Sequence, residues 1–306
     1  MTLSVALVGA GSIGLPLAHG LGAAGHRVVV CGGSVPIHGI EITYGSGPHA
    51  GSTHRIGTDH ADDPDAIATA DLVILAVKAQ QTASAAAWLS RIAPGATLVV
   101  AQNGIEQRDR VRPYLDDGVH VVPAIVYFNG RRTAPGSAVL TAMGARDVVM
   151  PDDPASIRVG DLLRQAGFRT VNAPDYPQAA WRKLLVNATV NPVTALTGRH
   201  SEVMAQPAMQ RLARSIMEEA VRVAIADGVP LERHDIDDVL SLFRTLPPGT
   251  STSMLQDRRA GHGLEIDAIN GAVVRAGERA VVPTPLNRAL LTLCAAVNHG
   301  GDDDAT

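Results

Sequence analysis

The sequence predicts an α/β protein, with a parallel sheet flanked by helices in the N-terminal half and helices alone in the C-terminal half. Three observations support this prediction. Short apolar runs typical of buried strands recur between residues 3 and 149. A glycine-rich turn joins the first of these runs to an apolar helical pattern. Beyond a polar segment with two prolines at 172–177, strand signals fade and helical periodicity takes over.

The first strand, turn and helix have the arrangement of a βαβ unit. Residues 3–8 and 27–31 are predicted as buried strands, with a helix at 15–24 between them. The turn before this helix consists of Gly9, Ala10, Gly11, Ser12, Ile13 and Gly14. Here Gly9 permits the tight turn, Gly11 lets a pyrophosphate approach the backbone, and Gly14 allows close packing of helix and strand. Because the helix N-terminus also attracts phosphate, we predict a Rossmann domain that binds a dinucleotide at this turn.

The end of the second strand bears on the choice of dinucleotide. An NAD site commonly has an acidic residue there, which holds the ribose hydroxyls. In this chain the strand ends at Cys31 and is followed by two glycines and Ser34, with no acidic side chain. That arrangement leaves room for a 2′-phosphate and favours NADP. NAD is not excluded, because no arginine stands there either and Ser34 is a modest phosphate partner.

Two further strands each end at a polar residue. Residues 71–77 are followed by Lys78, and residues 97–101 are followed by Gln102 and Asn103. Ligands of open parallel sheets bind beyond the carboxyl ends of the strands. We therefore expect Gly9, Lys78 and Asn103 to project into one crevice, although Asn103 followed by glycine is also typical of a plain turn. More strands are predicted at 119–127 and 138–149, and a helix at 155–166.

The chain is unusually poor in lysine. Of its 26 basic residues only Lys78 and Lys183 are lysines, and the rest are arginines. Arginine does not release a proton near neutral pH, whereas burial can tune lysine to do so. The two lysines are thus candidates for proton chemistry, and the alternative is that they are chance survivors at the surface.

The second lysine belongs to a polar stripe on the predicted helix 179–190. Lys183, Asn187 and Asn191 recur at every fourth position, so each step turns only about 40° around the helix axis. The other side chains of this helix are mostly apolar. A solvent-facing stripe is the alternative, but it would more naturally carry Arg, Glu and Gln. We interpret the stripe as the polar floor of a pocket.

A second polar group lies near the C-terminal end of the chain. The hydroxyl run Ser251-Thr252-Ser253 suits recognition of an anion or carboxylate, or a helix N-cap. Glu265, Asp267 and Asn270 lie in an apolar helical segment, which favours a site over a solvated face. Predicted helices at 209–225 and 285–297 serve packing, and residues 300–306 are predicted as a disordered tail.

Composition excludes several classes of function. The net charge is −4, and the aspartates at 302–304 carry three of these charges, so no basic face is available for nucleic acid. Cys31 and Cys294 are far apart, which argues against a disulfide framework or a zinc site. His49, His54 and His60 are interpreted as members of a solvated loop, and no metal is predicted. The first apolar run is too short for a signal peptide or a membrane span, so we expect a cytoplasmic protein.

Together these segments resemble the ketopantoate reductase family. The matching motifs are the glycine-rich turn, Val77-Lys78-Ala79, Gln102-Asn103-Gly104, the run from Lys183 to Asn191-Pro192, Ser253 to Asp257, and Glu265 to Gly271. Their order and spacing agree from residue 3 to about residue 285. The resemblance implies a Rossmann NADP-binding domain at 1–173 and a helical substrate domain at 174–299, with the active site in the cleft between them. It also implies NADPH-dependent reduction of a 2-oxo acid, most simply ketopantoate to pantoate in pantothenate biosynthesis.

The resemblance further implies a role for each site residue. Lys183 would be the general acid, and Glu265 would orient Lys183 or the cofactor. Lys78 and Asn103 would contact the cofactor near its reactive end. The substrate would be held by Lys183, Asn187, Asn191, Thr250, Ser251 and Ser253.

This sequence departs from the family pattern at three places. Thr250 stands where the family often has asparagine, His200 and Ser201 stand where another substrate asparagine is expected, and the basic residue after the second strand is missing. These departures bear on which 2-oxo acid is the substrate more than on which reaction is catalysed.

Two other functions remain open at this point. One is a related dehydrogenase for a different oxo or hydroxy acid. The other is a dinucleotide-binding sensor without catalysis, which would have no reason to keep Lys183 on an asparagine stripe. The expected partner is a small 2-oxo acid, and a homodimer is compatible with the sequence.

Overall fold

The computed structural model describes residues 2–299, and the side chains of residues 2–297. The tail predicted at 300–306 lies outside the described residues. Within the described range the strands are β1 (Ser4–Val8), β2 (Arg27–Cys31), β3 (Gly39–Tyr44), β4 (Thr53–Gly57), β5 (Asp59–Ala61), β6 (Leu72–Leu75), β7 (Thr97–Val100), β8 (His120–Pro123), β9 (Ile125–Val126), β10 (Asn129–Ala134), β11 (Ser137–Thr141), β12 (Val148–Pro151) and β13 (Thr170–Ala173).

The α-helices of the same range are divided unevenly between the two halves of the chain. The N-terminal half has few and mostly short ones, whereas the C-terminal half consists of helices. They are α1 (Gly14–Ala23), α2 (Ala86–Leu89), α3 (Gln107–Val111), α4 (Pro154–Gln165), α5 (Tyr176–Thr197), α6 (Pro207–Ala226), α7 (Arg233–Thr245), α8 (Ser253–Arg259), α9 (Ala272–Ala280) and α10 (Pro285–His299). A π-helix, Asp267–Gly271, leads directly into α9.

Six parallel strands form the main sheet, in the order β5-β2-β1-β6-β7-β8. This is the doubly wound order, in which the strand sequence reverses between β1 and β6. Two smaller sheets, β10-β11-β3-β4 and β13-β12-β9, complete the N-terminal half. The predicted fold class, a Rossmann-type sheet followed by helices, is confirmed.

The main sheet is buried on both faces, as parallel sheets are. Alternate residues of β1 point to opposite sides: Val5 and Leu7 belong to one apolar cluster, and Ala6 and Val8 to another. The helices α1 and α4 pack on the first face, with Leu15 and Leu163 in that cluster. A separate apolar cluster fills the interior of the helical half.

The chain divides into two compact units. Of the described residues, the first unit contains 2–103 and 107–176, and the second contains 104–106 and 177–299. Residues 104–106 belong to the second unit through two contacts. Ile105 packs on the helical core, and Glu106 pairs with Arg275 at 2.7 Å. The assignment of 1–173 to the cofactor and 174–299 to the substrate stays a prediction.

Several local predictions were wrong. The segments predicted as strands at 119–127 and 138–149 are each divided between two sheets, as β8 and β9 and as β11 and β12. His54 and His60 lie on β4 and β5 and not in a loop. The sequence hid these strands because they are short, and β4 is largely exposed with no apolar alternation. The stripe helix also runs further than 179–190, since α5 continues through Pro192 to Thr197. Within residues 2–299, no helix is both long and apolar enough to span a membrane.

Candidate functional site

The glycine-rich turn after β1 shows two glycines that the protein's own packing requires. Gly9 has φ +107°, a left-handed conformation that favours glycine, and a Cβ there would lie 2.9 Å from Ala76 O and against Val77 N. A Cβ on Gly14 would lie 2.8 Å from the Leu7 side chain and against the Gly9 carbonyl. The turn therefore packs directly against the end of β6, next to β1.

Gly11 is different, because nothing within the protein demands a glycine there. Its φ is not in the left-handed range, and a Cβ would meet only Ala76 O at 4.0 Å. The space in front of Gly11 thus suits a group from outside the chain. The first turn of α1 has no acidic residue, and its N-cap makes no side-chain hydrogen bond. Its N–H groups and the helix dipole are therefore suited to a phosphate, so this turn fits a dinucleotide pyrophosphate.

Gly130 packs against the same turn, and no local sequence pattern singles it out. A Cβ on Gly130 would collide with the Ser12 carbonyl. Only a residue without a side chain lets β10 approach the turn this closely. The signal for Gly130 is spatial, since 118 residues separate it from Ser12.

Gln102 joins the ends of β6 and β7. Its side-chain Nε2 donates to the Val77 carbonyl at 3.0 Å, and its backbone carbonyl accepts from Gln107 Nε2 at 3.0 Å. Arg110 donates to Gln102 Oε1 at 3.1 Å and to the Asn103 carbonyl at 3.3 Å. The structure therefore brings the backbone around Lys78 and Asn103 to one edge of the sheet, beside Gly9. The sequence pointed to Asn103 in this turn but missed the bracing role of Gln102.

The loop after β2 has no acidic side chain, as expected from the sequence. Gly32 and Gly33 have φ +64° and +107°. The indole of Trp88 lies beside Gly32, 3.5 Å from where its Cβ would be, and Ser34 is exposed. An aromatic surface next to a strand end without a carboxylate was not anticipated.

Lys183 has a pKa well below the ordinary value of a lysine. Its side chain is partly buried on α5, and Glu265 is buried, only 6% exposed. Burial lowers the pKa of Lys183 to about 8, while the charge of Glu265 acts in the opposite direction. An ammonium group with this pKa holds a proton near neutral pH and can release it readily.

The rest of the stripe lies on the same helix. Asn191 is 4% exposed and Asn187 is partly buried, so the stripe does not lie on an open solvent face. Thr194, one turn after Asn191, shares a 2.6 Å hydrogen bond with Thr252. Thr252 is the N-cap of α8 and also accepts from Leu255 N at 3.1 Å.

The hydroxyl run is thereby fixed to α5. The N-cap alternative is correct for Thr252, while Ser251 and Ser253 flank the cap. The Thr250 carbonyl accepts from the Ser201 hydroxyl at 2.8 Å and from Ser201 N at 2.9 Å. Ser201 thus anchors the loop that carries Thr250. The roles of these residues in binding substrate stay predictions.

The C-terminal end of α5 is closed by arginines of α8. Arg258 donates to the Ala195 carbonyl and, at 3.0 Å, to the Leu196 carbonyl. Arg259 donates to the Gly198 carbonyl at 3.0 Å. Cations suit this position, because the last carbonyls of a helix lack backbone donors. No group of three or more side chains suited to a metal ion occurs among the residues that the structure describes.

Comparison with known proteins identifies the family of the chain. The family model "Ketopantoate reductase PanE/ApbA" matches residues 5–152, and the model of its C-terminal part matches residues 175–298. The chain belongs to the ketopantoate reductase family. A 2-dehydropantoate 2-reductase of Mycobacterium tuberculosis is 37% identical over 302 residues, which cover 98% of this chain and 99% of that protein.

Solved ketopantoate reductases have the same fold. A PanE/ApbA family ketopantoate reductase from Ralstonia eutropha JMP134 superposes with a TM-score of 0.87 at 28% identity, over 98% of this chain and all of that one. A dimeric ketopantoate reductase from Staphylococcus aureus superposes with a TM-score of 0.80 at 25% identity, over 98% and 100% of the two chains. The predicted family, and with it an oxidoreductase that uses a dinucleotide, is confirmed.

Proposed function

We propose that this chain reduces ketopantoate to pantoate, with NADPH as the electron donor and Lys183 as the general acid. The observation that carries the proposal is the partly buried ammonium of Lys183, with its pKa lowered to about 8 beside the buried Glu265. A sensor that only binds a dinucleotide has no use for such a group. The family and the 37% identity to a 2-dehydropantoate 2-reductase support the same reaction.

The cofactor site is assigned to the turn at Gly9–Gly14 together with Lys78 and Asn103. The open space at Gly11 and the uncapped α1 fit a pyrophosphate. A nicotinamide dinucleotide, when bound, supplies a hydride to the carbonyl carbon of the substrate. NADPH is favoured over NADH because the β2 end has no carboxylate to hold ribose hydroxyls or to repel a 2′-phosphate.

In the proposed mechanism, Lys183 Nζ donates a proton to the substrate oxygen as negative charge develops there. Its positive charge also stabilises that oxygen before the proton moves. Such a general acid contributes about 10²–10⁴-fold in rate. Glu265 counteracts the burial of Lys183 and so keeps the ammonium protonated at neutral pH. We therefore assign to Glu265 the role of keeping Lys183 in its protonated form.

The remaining polar groups are assigned to substrate recognition. The amides of Asn187 and Asn191 would hold the hydroxyl and carboxylate of the 2-oxo acid, and the N-terminal end of α8 at Ser251 and Ser253 would assist with the carboxylate. Amides and hydroxyls both donate hydrogen bonds to a carboxylate without adding charge. This leaves Lys183 as the cation of the set.

A panel of 2-oxo acids that includes ketopantoate tests the proposal. The oxidation of NADPH and of NADH is followed by absorbance with each acid. We expect ketopantoate to give the highest kcat/KM, and NADPH to exceed NADH. A panel in which no 2-oxo acid is reduced would show that the chain is not this enzyme.

The substitution Lys183→Arg tests the proton donor. Arginine keeps the positive charge but does not release a proton near neutral pH, so kcat should fall by about 10²-fold or more. Binding of NADPH, measured by fluorescence titration, should remain as in the wild type. Lys78→Arg is the matched comparison, and there we expect a change in the KM for the cofactor with most of kcat kept. A Lys183→Arg enzyme with near-normal kcat would refute the role.

We further propose a homodimer, by analogy with the dimeric Staphylococcus aureus relative. Sedimentation equilibrium tests this against the chain mass of 31.9 kDa. The cytoplasm is the proposed location. Both cysteines are free and buried, which suits a reducing compartment.

A further inference from the structure

The helix that carries Lys183 contains a proline in its interior. Proline has no N–H, so Pro192 cannot donate to the carbonyl four residues before it, which is that of Ala188. Ala188 is 1% exposed, so water does not replace the missing donor. Buried backbone carbonyls are almost always hydrogen-bonded, and this one needs a donor from elsewhere in the fold.

Asn270 provides that donor. Its Nδ2 donates to the Ala188 carbonyl at 2.9 Å, and its side chain is fully buried. Asn270 lies on the π-helix Asp267–Gly271, an irregular turn of a kind that often occurs at functional sites. The same Nδ2 also donates to Asn287 Oδ1, at an N···O distance of 3.1 Å.

Two further residues set the direction of these hydrogen bonds. Glu219, 3% exposed, accepts from Leu286 N at 2.9 Å and from Asn287 N at 3.0 Å. These are first-turn N–H groups of α10, which have no acceptor within their own helix. Glu219 also accepts from Asn287 Nδ2 at 2.9 Å. The Ile216 carbonyl, which can only accept, lies 3.2 Å from the same Asn287 Nδ2. Asn287 must therefore turn its NH₂ toward this carbonyl and Glu219, and its oxygen toward Asn270.

The orientation of Asn270 follows from that of Asn287. With the Asn287 oxygen facing it, Asn270 must present its NH₂, and the same NH₂ reaches Ala188. Asn270 Oδ1 is buried and accepts no hydrogen bond from the described residues. The Asn270 amide is thus oriented so that its NH₂ makes two hydrogen bonds, while its oxygen accepts none from the described residues.

We infer that the Glu219–Asn287–Asn270 chain is a positioning device for catalysis, which replaces the hydrogen bond lost at Pro192 and fixes the turn of α5 that carries Asn187 and Asn191. Ala188 lies between these two residues, so a shift of its carbonyl moves the substrate-binding amides relative to Lys183. The inference rests on the proposed function for its kinetic test. Asn270 acts through α5 and is a positioning residue, not a catalytic one.

A double-mutant cycle tests the inference, because Pro192→Ala returns an N–H that can donate to Ala188. Asn270→Leu removes both side-chain donors and keeps the branching and the number of heavy atoms of the side chain. We expect Asn270→Leu to raise the KM for the 2-oxo acid about tenfold or more, since small misplacements of binding groups are costly, with NADPH binding unchanged. In the Pro192→Ala background the same substitution should raise KM much less. An equal rise in both backgrounds would overturn the inference.

A second variant covers the case in which Asn270→Leu does not fold. Glu219→Gln keeps the shape of the side chain but leaves only one accepting oxygen for the three N–H groups that the carboxylate holds. We expect a smaller rise in KM, again reduced by Pro192→Ala, and an unchanged KM would overturn the inference. Asn172→Leu is the matched control, since the Asn172 amide also donates to a backbone carbonyl, that of Pro151 at 3.0 Å, but in the other unit. It should leave the substrate KM at the wild-type value.

Hydrogen exchange separates this inference from the proposed function. The amides of α5 between residues 189 and 196 should exchange faster in Asn270→Leu and return toward wild-type rates with Pro192→Ala. This measurement needs no substrate. If the wild type reduced no 2-oxo acid, the proposed function would fail while coupled exchange still supported the positioning device. Unchanged α5 exchange in Asn270→Leu would overturn the inference even with an active wild type.

Discussion

Lys183 shows how a single residue type reveals a chemical requirement. The chain uses arginine for almost every positive charge, and the lysine that it retains in the helical unit has a pKa of about 8. Arginine would resist such a shift. The structure thus supplies a physical reason for lysine at this position, namely partial burial beside Glu265. The composition alone indicated that this lysine was exceptional but not why.

The lowered pKa predicts the pH dependence of the reduction. A general acid acts in its protonated form, and burial places the pKa of Lys183 at about 8. We therefore expect kcat/KM to be highest below pH 8 and to fall about tenfold per pH unit above it. A pH profile of initial rates at low substrate measures this. A profile that stays level up to pH 10 would contradict the assignment.

Gly9 and Gly11 form a matched pair with opposite expected effects. Gly9→Ala places a methyl group against Ala76 and Val77 at φ +107°, so we expect the protein to lose several kcal/mol of stability or fail to fold. Gly11→Ala meets only Ala76 O at 4.0 Å and should fold normally. It should weaken NADPH binding instead, because the methyl group occupies space meant for the pyrophosphate. Denaturant unfolding and cofactor titration together measure the two effects, and strong NADPH binding by Gly11→Ala would contradict this account.

At the scale of elements, α5 is held along its length by other helices of its unit. Arg182 pairs with the buried Asp235 at 2.6 Å, and Thr194 and Arg258 link its later turns to α8. A helix with a proline and two asparagines in its interior has low intrinsic propensity. Its position therefore depends on these contacts, and so do the side chains that it presents.

The cap of α8 gives a prediction at this scale. Thr252→Ala removes both the N-cap hydrogen bond to Leu255 N and the bond to Thr194. We expect a loss of about 1 kcal/mol in unfolding free energy, together with a higher substrate KM as Ser251 and Ser253 lose their fixed position. Thr292→Ala is the control, because that hydroxyl only donates to Arg288 O within its own helix. Equal effects of the two substitutions on KM would refute the link.

The sequence predicted the elements whose signal is local. The strands at Leu72–Leu75 and Thr97–Val100 are continuous apolar runs, and the turn at Gly9 has a fixed glycine spacing. The sequence did not predict the exposed strand Thr53–Gly57, because its residues lack alternation. Nor did it predict that α5 passes through Pro192, because the compensating donor Asn270 lies 82 residues from Ala188. The candidate site shows the same division between local and distant signals: its polar residues could be found from spacing, whereas Gln102 and Gly130 act through neighbours in space.

At the scale of the whole molecule, each unit has its own apolar interior. A ligand that binds only one of them stabilises that unit by mass action. This separation makes the location of the cofactor site measurable without a bound structure.

We predict that NADPH selectively protects the first unit. At a hundred times its Kd the cofactor should add about 2.7 kcal/mol to the stability of the state that binds it. Hydrogen exchange should slow most in β1 and β6, and less in α6 and α9. The Gly11→Ala variant serves as the control and should show little slowing at the same NADPH concentration. Protection confined to the helices would contradict the assignment of the cofactor site.

The segment 104–106 has a consequence for protein engineering. Although it lies within the N-terminal half of the sequence, Ile105 contributes to the helical core and Glu106 holds Arg275. A chimera that takes its helical half from a relative at Pro177 would leave both side chains behind, mismatched with their new neighbours. A chimera made to exchange substrate specificity should therefore take both fragments, residues 104–106 and the helical half from Pro177 onward, from the same parent protein.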